Sequence, residues 1–322
     1  MGIGMMGLTA LRWHMNLSAL ESRVNFTPAP PGPRVKLSML PVLAAAAFLC
    51  SGASAVAAAQ HFEKHFAVKT RPVVVIHNVA NGRIEVKSWK NAEVDVLASQ
   101  TSDKIGFDME QAGDRIDVTA TILDRAAQPQ ELEASLQLTV PEETELQLKT
   151  ETGLIYVEQV MGDMTLESVA GDVHLNEVSG YIIVRTTEGS LVCTQCAGKL
   201  DFKSIRGGAQ VLQPALTNVS LFTTSGNILF DGDFVRTGLY TMKSGKGLVE
   251  VRFSGNDSFD LKAQTAIGTV DNQAAAYLKP DSHGVKHLAS KFTKGLFGTV
   301  GQGLAKVELS SYSGTIRIMK RD

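Results

Sequence analysis

The chain has 322 residues, 44% of them hydrophobic and 20% charged, with a formal net charge of −2; these values suit one or two folded domains with ample material for a core. No Lys/Arg run stands out, which disfavours a nucleic-acid partner. Aromatic residues are scarce at 6% beside 29 glycines, a balance that fits many short strands joined by tight turns.

Residues 40–49 form an apolar run preceded by Arg34 and Lys36 and followed by the small residues of 51–59. Positive flank, short apolar stretch and Ala-x-Ala endings predict an export signal within a 1–59 leader, cut near Ala59. The run is too short to span a bilayer, which takes about 20 apolar residues. Cys50 follows Phe48 and Leu49 where a lipoprotein site needs small residues, so a lipid anchor is not expected. Removing 1–59 takes away four basic residues and one acid, leaving a charge of −5. The expected location is periplasmic or secreted, with membrane attachment only through an uncleaved signal segment.

Residues 60–141 read as an N-terminal β region, with strands expected at 73–77, 83–87, 93–98, 115–122 and 135–140 and an Asn81-Gly82 turn. His61 and His65 flank Glu63 at a spacing of four, close to an N-terminus expected to fray.

From 142 to 322 the signal is periodic glycine. Gly153, Gly171, Gly189 and Gly207 are spaced by 18, and Gly226, Gly247 and Gly268 continue at 19, 21 and 21; Gly314 closes the series. Apolar pairs precede the glycines (Leu146/Leu148, Met164/Leu166, Ile182/Val184, Leu200/Phe202, Val219/Leu221, Tyr240/Met242, Phe259/Leu261, Val307/Leu309) and others follow them (Ile155/Val157, Val173/Leu175, Leu191/Cys193, Ala209/Val211, Ile228/Phe230, Val249/Val251, Val270/Asn272, Ile316/Ile318). Polar residues alternate with them. Period-two alternation at a fixed repeat of about 18 predicts an all-β, β-solenoid or β-helix-like stack of two-strand units, each covering its neighbour's apolar face. A hydroxyl stands three residues before each glycine: Thr150, Ser168, Thr186, Ser204, Thr223, Ser244, Thr265 and Ser311. Eight equivalent copies cannot all be nucleophiles; they are expected to bond backbone at a buried corner.

Residues 274–304 are the one large insertion. Leu288, Phe292 and Leu296 at a spacing of four suggest a short amphipathic helix, and His283/His287 repeat that spacing. The segment reads as a lid over the open end of the stack or as a binding loop.

The stretch Asn78–Trp89 (NVANGRIEVKSW), the Leu138–Pro141 segment (LTVP), the repeated Ser/Thr-x-x-Gly units and the ending Val307–Ile318 (VELSSYSGTIRI) resemble the bacterial putative-adhesin domain family, over about residues 73–320. The resemblance implies an extracytoplasmic β-solenoid-like fold and carries over no catalytic residues.

Chemistry is sparse. Cys193 and Cys196 could form a disulfide, a redox pair or half a metal site; both fall in apolar columns and read as core residues that a disulfide could join. Asp231/Asp233, Asp163 and Asp172 lie at turns without stacking into a carboxylate pair. Outward apolar residues Tyr156, Ile183, Val192, Phe222 and Leu229, with Phe292 and Phe297 of the insertion, are the candidate contact surface. The expected function is therefore a non-enzymatic, adhesin-like or scaffold protein binding an envelope protein or glycan, with no cofactor and no metal; an unpaired solenoid edge offers a route to homo-oligomers. Alternatives are a β-helix carbohydrate-active enzyme and a CxxC redox or metal protein.

Overall fold

The computed structural model describes residues 60–280 and 294–321. The expected leader with its cut near Ala59, Phe292 and the His283/His287 pair lie outside the described residues. The chain runs through β1 (Gln60–Ala67), β2 (Val73–Asn78), β3 (Arg83–Trp89), β4 (Glu93–Gln100), β5 (Ile105–Ala112), β6 (Arg115–Ile122), β7 (Ala134–Pro141), β8 (Glu145–Thr152), β9 (Leu154–Glu158), β10 (Met164–Ala170), β11 (Val173–Asn176), β12 (Ser179–Thr186) and β13 (Leu191–Thr194). It continues through β14 (Ala197–Arg206), β15 (Ala209–Leu212), β16 (Ala215–Ser225), β17 (Ile228–Asp231), β18 (Leu239–Lys246), β19 (Val249–Phe253), β20 (Phe259–Thr265), β21 (Thr269–Asn272), β22 (Lys279–Pro280), β23 (Lys294–Val300), β24 (Ala305–Ser311) and β25 (Thr315–Lys320).

The strands build two long sheets. One has the order β1-β4-β7-β3-β9-β11-β13-β15-β17-β19-β25-β21, the other β22-β23-β20-β24-β18-β16-β14-β12-β10-β8-β2-β6-β5. Each repeat contributes one strand to each sheet, so the chain winds as a parallel two-sheet solenoid. The apolar columns face inward: Leu146, Leu166, Val184, Phe202, Ile155, Val173, Leu191 and Phe230 are all within 1% of full burial. They belong to one continuous core running from Phe66 to Ile318. Each large side chain so buried contributes roughly 1.5–3 kcal/mol, which no unit could collect alone.

Register follows the period. Units spaced by 18 pair without slip, as in Met164↔Ile182 and Leu175↔Cys193. The extra residue of the 19-residue unit is absorbed by a shift between β14 and β16, where Gly198 faces Leu216 but Lys199 faces Asn218. The longer unit before Gly247 carries a loop filled by stacked Phe230 and Phe234, with Tyr240 edge-on to both.

The glycine column explains itself. A Cβ on Gly171 would collide with the carbonyl oxygen of Gly153, one on Gly189 with that of Gly171, and the pattern repeats up the stack. The hydroxyl column lies just inside it and is buried throughout. Thr186 Oγ1 donates to the Gly189 carbonyl at 2.7 Å, Thr223 Oγ1 to that of Gly207 at 2.8 Å and Ser244 Oγ to that of Gly226 at 2.9 Å. Thr265 and Ser311 instead accept from the amides of Gly268 and Gly314. The opposite corner has its own column, Gln159, Glu177, Gln195 and Gln213, each held at a φ near +50° by the same stacking.

Four expectations need correction. The 141/142 boundary is no break in the sheets: β2 pairs with β8 and β3 with β9, so residues 73–89 form a coil of the same stack, capped by β6 and β7. β1, expected to fray, pairs along its whole length with β4, antiparallel. Leu296 lies in strand β23, not in a helix, and packs on the core. Finally, Leu261 and Ala263, not Phe259 and Leu261, stand opposite Val307 and Leu309.

Chain order and stacking order diverge at the far end. The last coil, β24–β25, inserts between β18–β19 and β20–β21, parallel to both. β23 then adds antiparallel to β20, and β22 to β23.

Candidate functional site

The outer face of the 13-stranded sheet carries two adjacent rows of side chains set by the strand register. One row reads Asp163, Tyr181, Lys199, Asn218, Leu239, Lys306, Asp260 and Thr299; the other reads Thr165, Ile183, Asp201, Ser220, Thr241, Glu308, Lys262 and Phe297. Two open grooves lie along these rows. The first, about 780 Å³, is floored by Leu239, Asp260, Lys262, Phe297, Thr299, Lys306 and Glu308. The second, about 820 Å³, contains Tyr181, Lys199, Asp201, Asn218 and Ser220. They meet at Asn218 and Leu239, which face each other on β16 and β18.

The trough alternates apolar points with polar groups. Tyr181 is 43% and Leu239 50% exposed, and Phe297 is half-buried at the far end. Three strand steps of about 4.8 Å separate each from the next, so they recur roughly every 14 Å. Between them, Lys262 Nζ pairs with Glu308 Oε1 at 3.1 Å, Thr299 Oγ1 donates to Asp260 Oδ1 at 2.7 Å, and Arg185 Nη2 pairs with Asp201 Oδ2 at 2.9 Å. The second carboxylate oxygen of Asp201, Oδ1, is buried without a partner among the described residues.

Of the expected contact residues, Phe297 and Ile183 lie in these rows. Phe222 is exposed on the same sheet, in a neighbouring row. Tyr156, Val192 and Leu229 share one column of the other sheet, interrupted by His174 and Gln210. The set thus divides between two faces and does not form one strip. Tyr181 and Leu239 were missed; their signal was the column eight residues before each glycine, where they stand in register with Asp163, Lys199 and Asn218.

The remaining candidates resolve into structure. Cys193 and Cys196 are joined, both fully buried, across the corner at Gln195. Asp163 Oδ1 accepts the amide of Tyr181 and Asp172 Oδ1 that of Ser190, each bracing the next coil. Asp231 and Asp233 enter an ion ladder: Arg321 bridges them at 3.5 and 2.7 Å, Arg252 links Asp231 to Glu250, and Arg317 links Glu250 to Asp271. Hydrogen bonds to Asp271 and Glu250 raise the Arg317 pKa above its usual value. Asp257 accepts the amides of Phe234 and Ser258; its pKa is raised, chiefly because burial penalises its charge. None of these acids faces another across a free gap. Among the described residues no helix is long and apolar enough to cross a membrane.

Solved structures with a similar course include a protein titled a "putative adhesin" from Bacteroides fragilis (11% identity, 81% of this chain and 97% of that one, TM-score 0.44). Another is a "putative adhesin" from Parabacteroides distasonis (8%, 81% and 98%, TM-score 0.34), and a third a "putative cell adhesion protein" from Clostridium sporogenes (10%, 81% and 100%, TM-score 0.28). No curated protein matches the chain. The sequence match is decisive for the family: residues 75–319 fit the one described as Toastrack DUF4097, and the chain belongs to it.

Proposed function

We propose that this chain is an exported, non-enzymatic, adhesin-like protein of the cell envelope that binds a linear glycan along the trough of its 13-stranded sheet. The carrying observation is the register itself: Tyr181, Leu239 and Phe297 recur at even spacing, with Asp201, Asn218, Lys262, Asp260 and Glu308 between them. Ring and aliphatic faces cover the C–H faces of sugars, while the interleaved amide, ammonium and carboxylate groups meet hydroxyls. An open, shallow trough holds an extended polymer without enclosing it. Export is supported by the apolar run at 40–49 and its small-residue sequel.

The trough does hold two carboxylates on neighbouring strands, Asp260 and Glu308, which keeps the hydrolase alternative in view. Each is occupied by its own partner, Thr299 and Lys262, and the binding reading is preferred. The test is a bacterial glycan array probed with wild type, Tyr181→Ala and Phe297→Ala, followed by chain-length analysis of any bound glycan. Capture by wild type that falls at least tenfold in both variants supports the proposal. Capture unchanged in both variants overturns the site, and shortening of the glycan overturns the non-enzymatic reading.

A further inference from the structure

At the opposite end of the molecule from β23, the outer face of β1 and β4 gathers three carboxylates around one imidazole. β1 and β4 are antiparallel with His65 directly opposite Asp95 and Ala67 opposite Glu93. His65, Glu93, Asp95 and, two residues before His65, Glu63 therefore project from the same face, because strand side chains alternate. His65 Nδ1 lies 2.7 Å from Asp95 Oδ1, and His65 Nε2 lies 3.5 Å from Glu63 Oε1. One ligand atom each from His65, Glu93 and Asp95 falls within 4.8 Å of the others.

We propose that His65, Glu93 and Asp95 form a binding site for a divalent transition-metal ion of the zinc class, with Glu63 as the carboxylate that orients the imidazole. Three features favour this over an ordinary solvated cluster. First, the donor set is mixed: one imidazole nitrogen with two carboxylates is a zinc-type set, whereas calcium and magnesium take oxygen ligands. Second, the far imidazole nitrogen already faces a carboxylate. With Nε2–H directed to Glu63, the ion displaces to solvent the proton that Nδ1 shares with Asp95, and Nδ1 then ligates, the carboxylate–histidine–metal arrangement found around bound zinc. Third, the face is rich in carboxylates: Asp95, Glu63 and Glu93 stand around the imidazole, and the neighbouring Lys64 turns away to bond the Met109 carbonyl and lie over the Phe66 ring.

The geometry needs little change. Zinc–nitrogen and zinc–oxygen bonds of about 2.0–2.2 Å in a tetrahedral site separate ligand atoms by roughly 3.3 Å. The His65–Asp95 pair opens slightly to admit the ion, and Glu93 swings in on its own rotamers. The fourth position stays open to water. Binding would clip β1, the outermost strand of its sheet, onto β4.

The experiment is isothermal titration of the full chain with zinc chloride, with calcium and magnesium chloride as controls, repeated on His65→Ala, Asp95→Asn and Glu63→Gln. The expectation is one zinc per chain, no response to calcium or magnesium, a loss of at least a hundredfold in His65→Ala and Asp95→Asn, and a tenfold to hundredfold loss in Glu63→Gln. Copper-loaded protein should show the electron-spin couplings of a single imidazole. Wild type that binds no zinc overturns the site, and so does binding that survives in His65→Ala. If a titration is ambiguous because a variant folds poorly, hydrogen exchange of β1 in wild type decides. Slowed exchange at Phe62–Phe66 on zinc addition supports the site, and unchanged exchange overturns it.

Discussion

The glycine column predicts the largest single-residue effect. A Cβ added to Gly189 would sit closer to the Gly171 carbonyl oxygen than any nonbonded pair allows, with the Gly171 carbonyl carbon at 2.6 Å behind it. The obstruction is backbone on both sides, so no rotamer relieves it; the coil itself must rise by about 1 Å or more to reach an ordinary carbon–oxygen separation of ~3.3 Å. That movement strains the bonds at the same corner: Thr186 Oγ1 to Gly189 O at 2.7 Å, Ser190 N to Asp172 Oδ1 at 2.8 Å and Val173 N to Ser190 O at 2.8 Å. Weakening two or three of these at about 1 kcal/mol each, with overpacking of about 1–3 kcal/mol, gives a loss of roughly 3–6 kcal/mol for Gly189→Ala. Urea unfolding followed by circular dichroism measures it. Gly255→Ala is the control, since its new methyl would meet the flexible end of Lys320 at 3.3 Å and the Tyr277 ring at an ordinary contact distance of 3.5 Å, with no backbone in the way; it should stay within about 0.5 kcal/mol of wild type. A Gly189→Ala protein that unfolds at the wild-type midpoint would refute the claim that this column sets how closely the coils stack.

The buried Cys193–Cys196 pair should give no thiol titre in the native protein, and replacing both by Ala should cost about 2 kcal/mol, the chain-entropy value for so short a loop; a ready native titre would restore the redox alternative. Tyr240 accepts the Val235 amide and donates to the Leu216 carbonyl, and burial pushes its pKa up to about 12. Its folded value lies above the unfolded one of about 10, so this stability is intact below pH 10 and lost as pH rises to 12, about 3 kcal/mol in all. Urea midpoints between pH 9 and 12 should show that slope in wild type and lose it in Tyr240→Phe. A chain ending at Gln302 lacks β24 and β25 and leaves β18 without its neighbour, so hydrogen exchange should rise across Phe259–Asn272 and Lys294–Val300 as well; retained protection there would contradict the inserted position of the last coil.

What the sequence made legible is what repeats. Column identity, inward parity, the hydroxyl corner and the turn glycines are each set by one unit and its immediate neighbour, so a period of 18 exposes them. Neighbour relations that break chain order left no such trace. Nothing in the stretch 305–320 says that it fits beneath β20 instead of above it, because Val307 and Ile316 would satisfy either stacking. β5 carries little sequence signal because it is an edge strand: Asp108, Glu110 and Gln111 are exposed and only Ile105 is buried. Phe259 and Leu261 stand nine and seven residues before Gly268, whereas the other units place their apolar pair seven and five before the glycine; Leu261 and Ala263 hold those offsets, and they are the residues in register with Val307 and Leu309. The spacing of four between His61 and His65 suits one face of a helix, yet residues four apart also share a face of a strand; the partners that matter to His65, Glu93 and Asp95, lie 28 and 30 residues further on.

A repeating stack constrains where chemistry can be placed. Within the regular coils every outward side chain faces the equivalent position of the next coil about 4.8 Å away, so a constellation of unlike groups is most readily built where strands from unrelated parts of the chain meet. That occurs at β1–β4 and at β20–β24, and these ends hold the zinc-type cluster and the part of the trough that contains Leu239 and Phe297. It follows that a middle unit can be removed as a whole. Deleting residues 154–171 joins Gly153 to Asp172, carries away β9 and β10, and lets β8 pair with β12 through the same columns, since Leu146 and Ile182 both already face Met164. The shortened chain should fold, with zinc binding unchanged and glycan capture retained, because Tyr181, Leu239, Phe297 and the β1–β4 face remain and Glu145 takes the register position of Asp163 beside Tyr181. Loss of either binding in a folded deletion, judged by circular dichroism, would show that the ends communicate through the stack and that its coils are not interchangeable spacers.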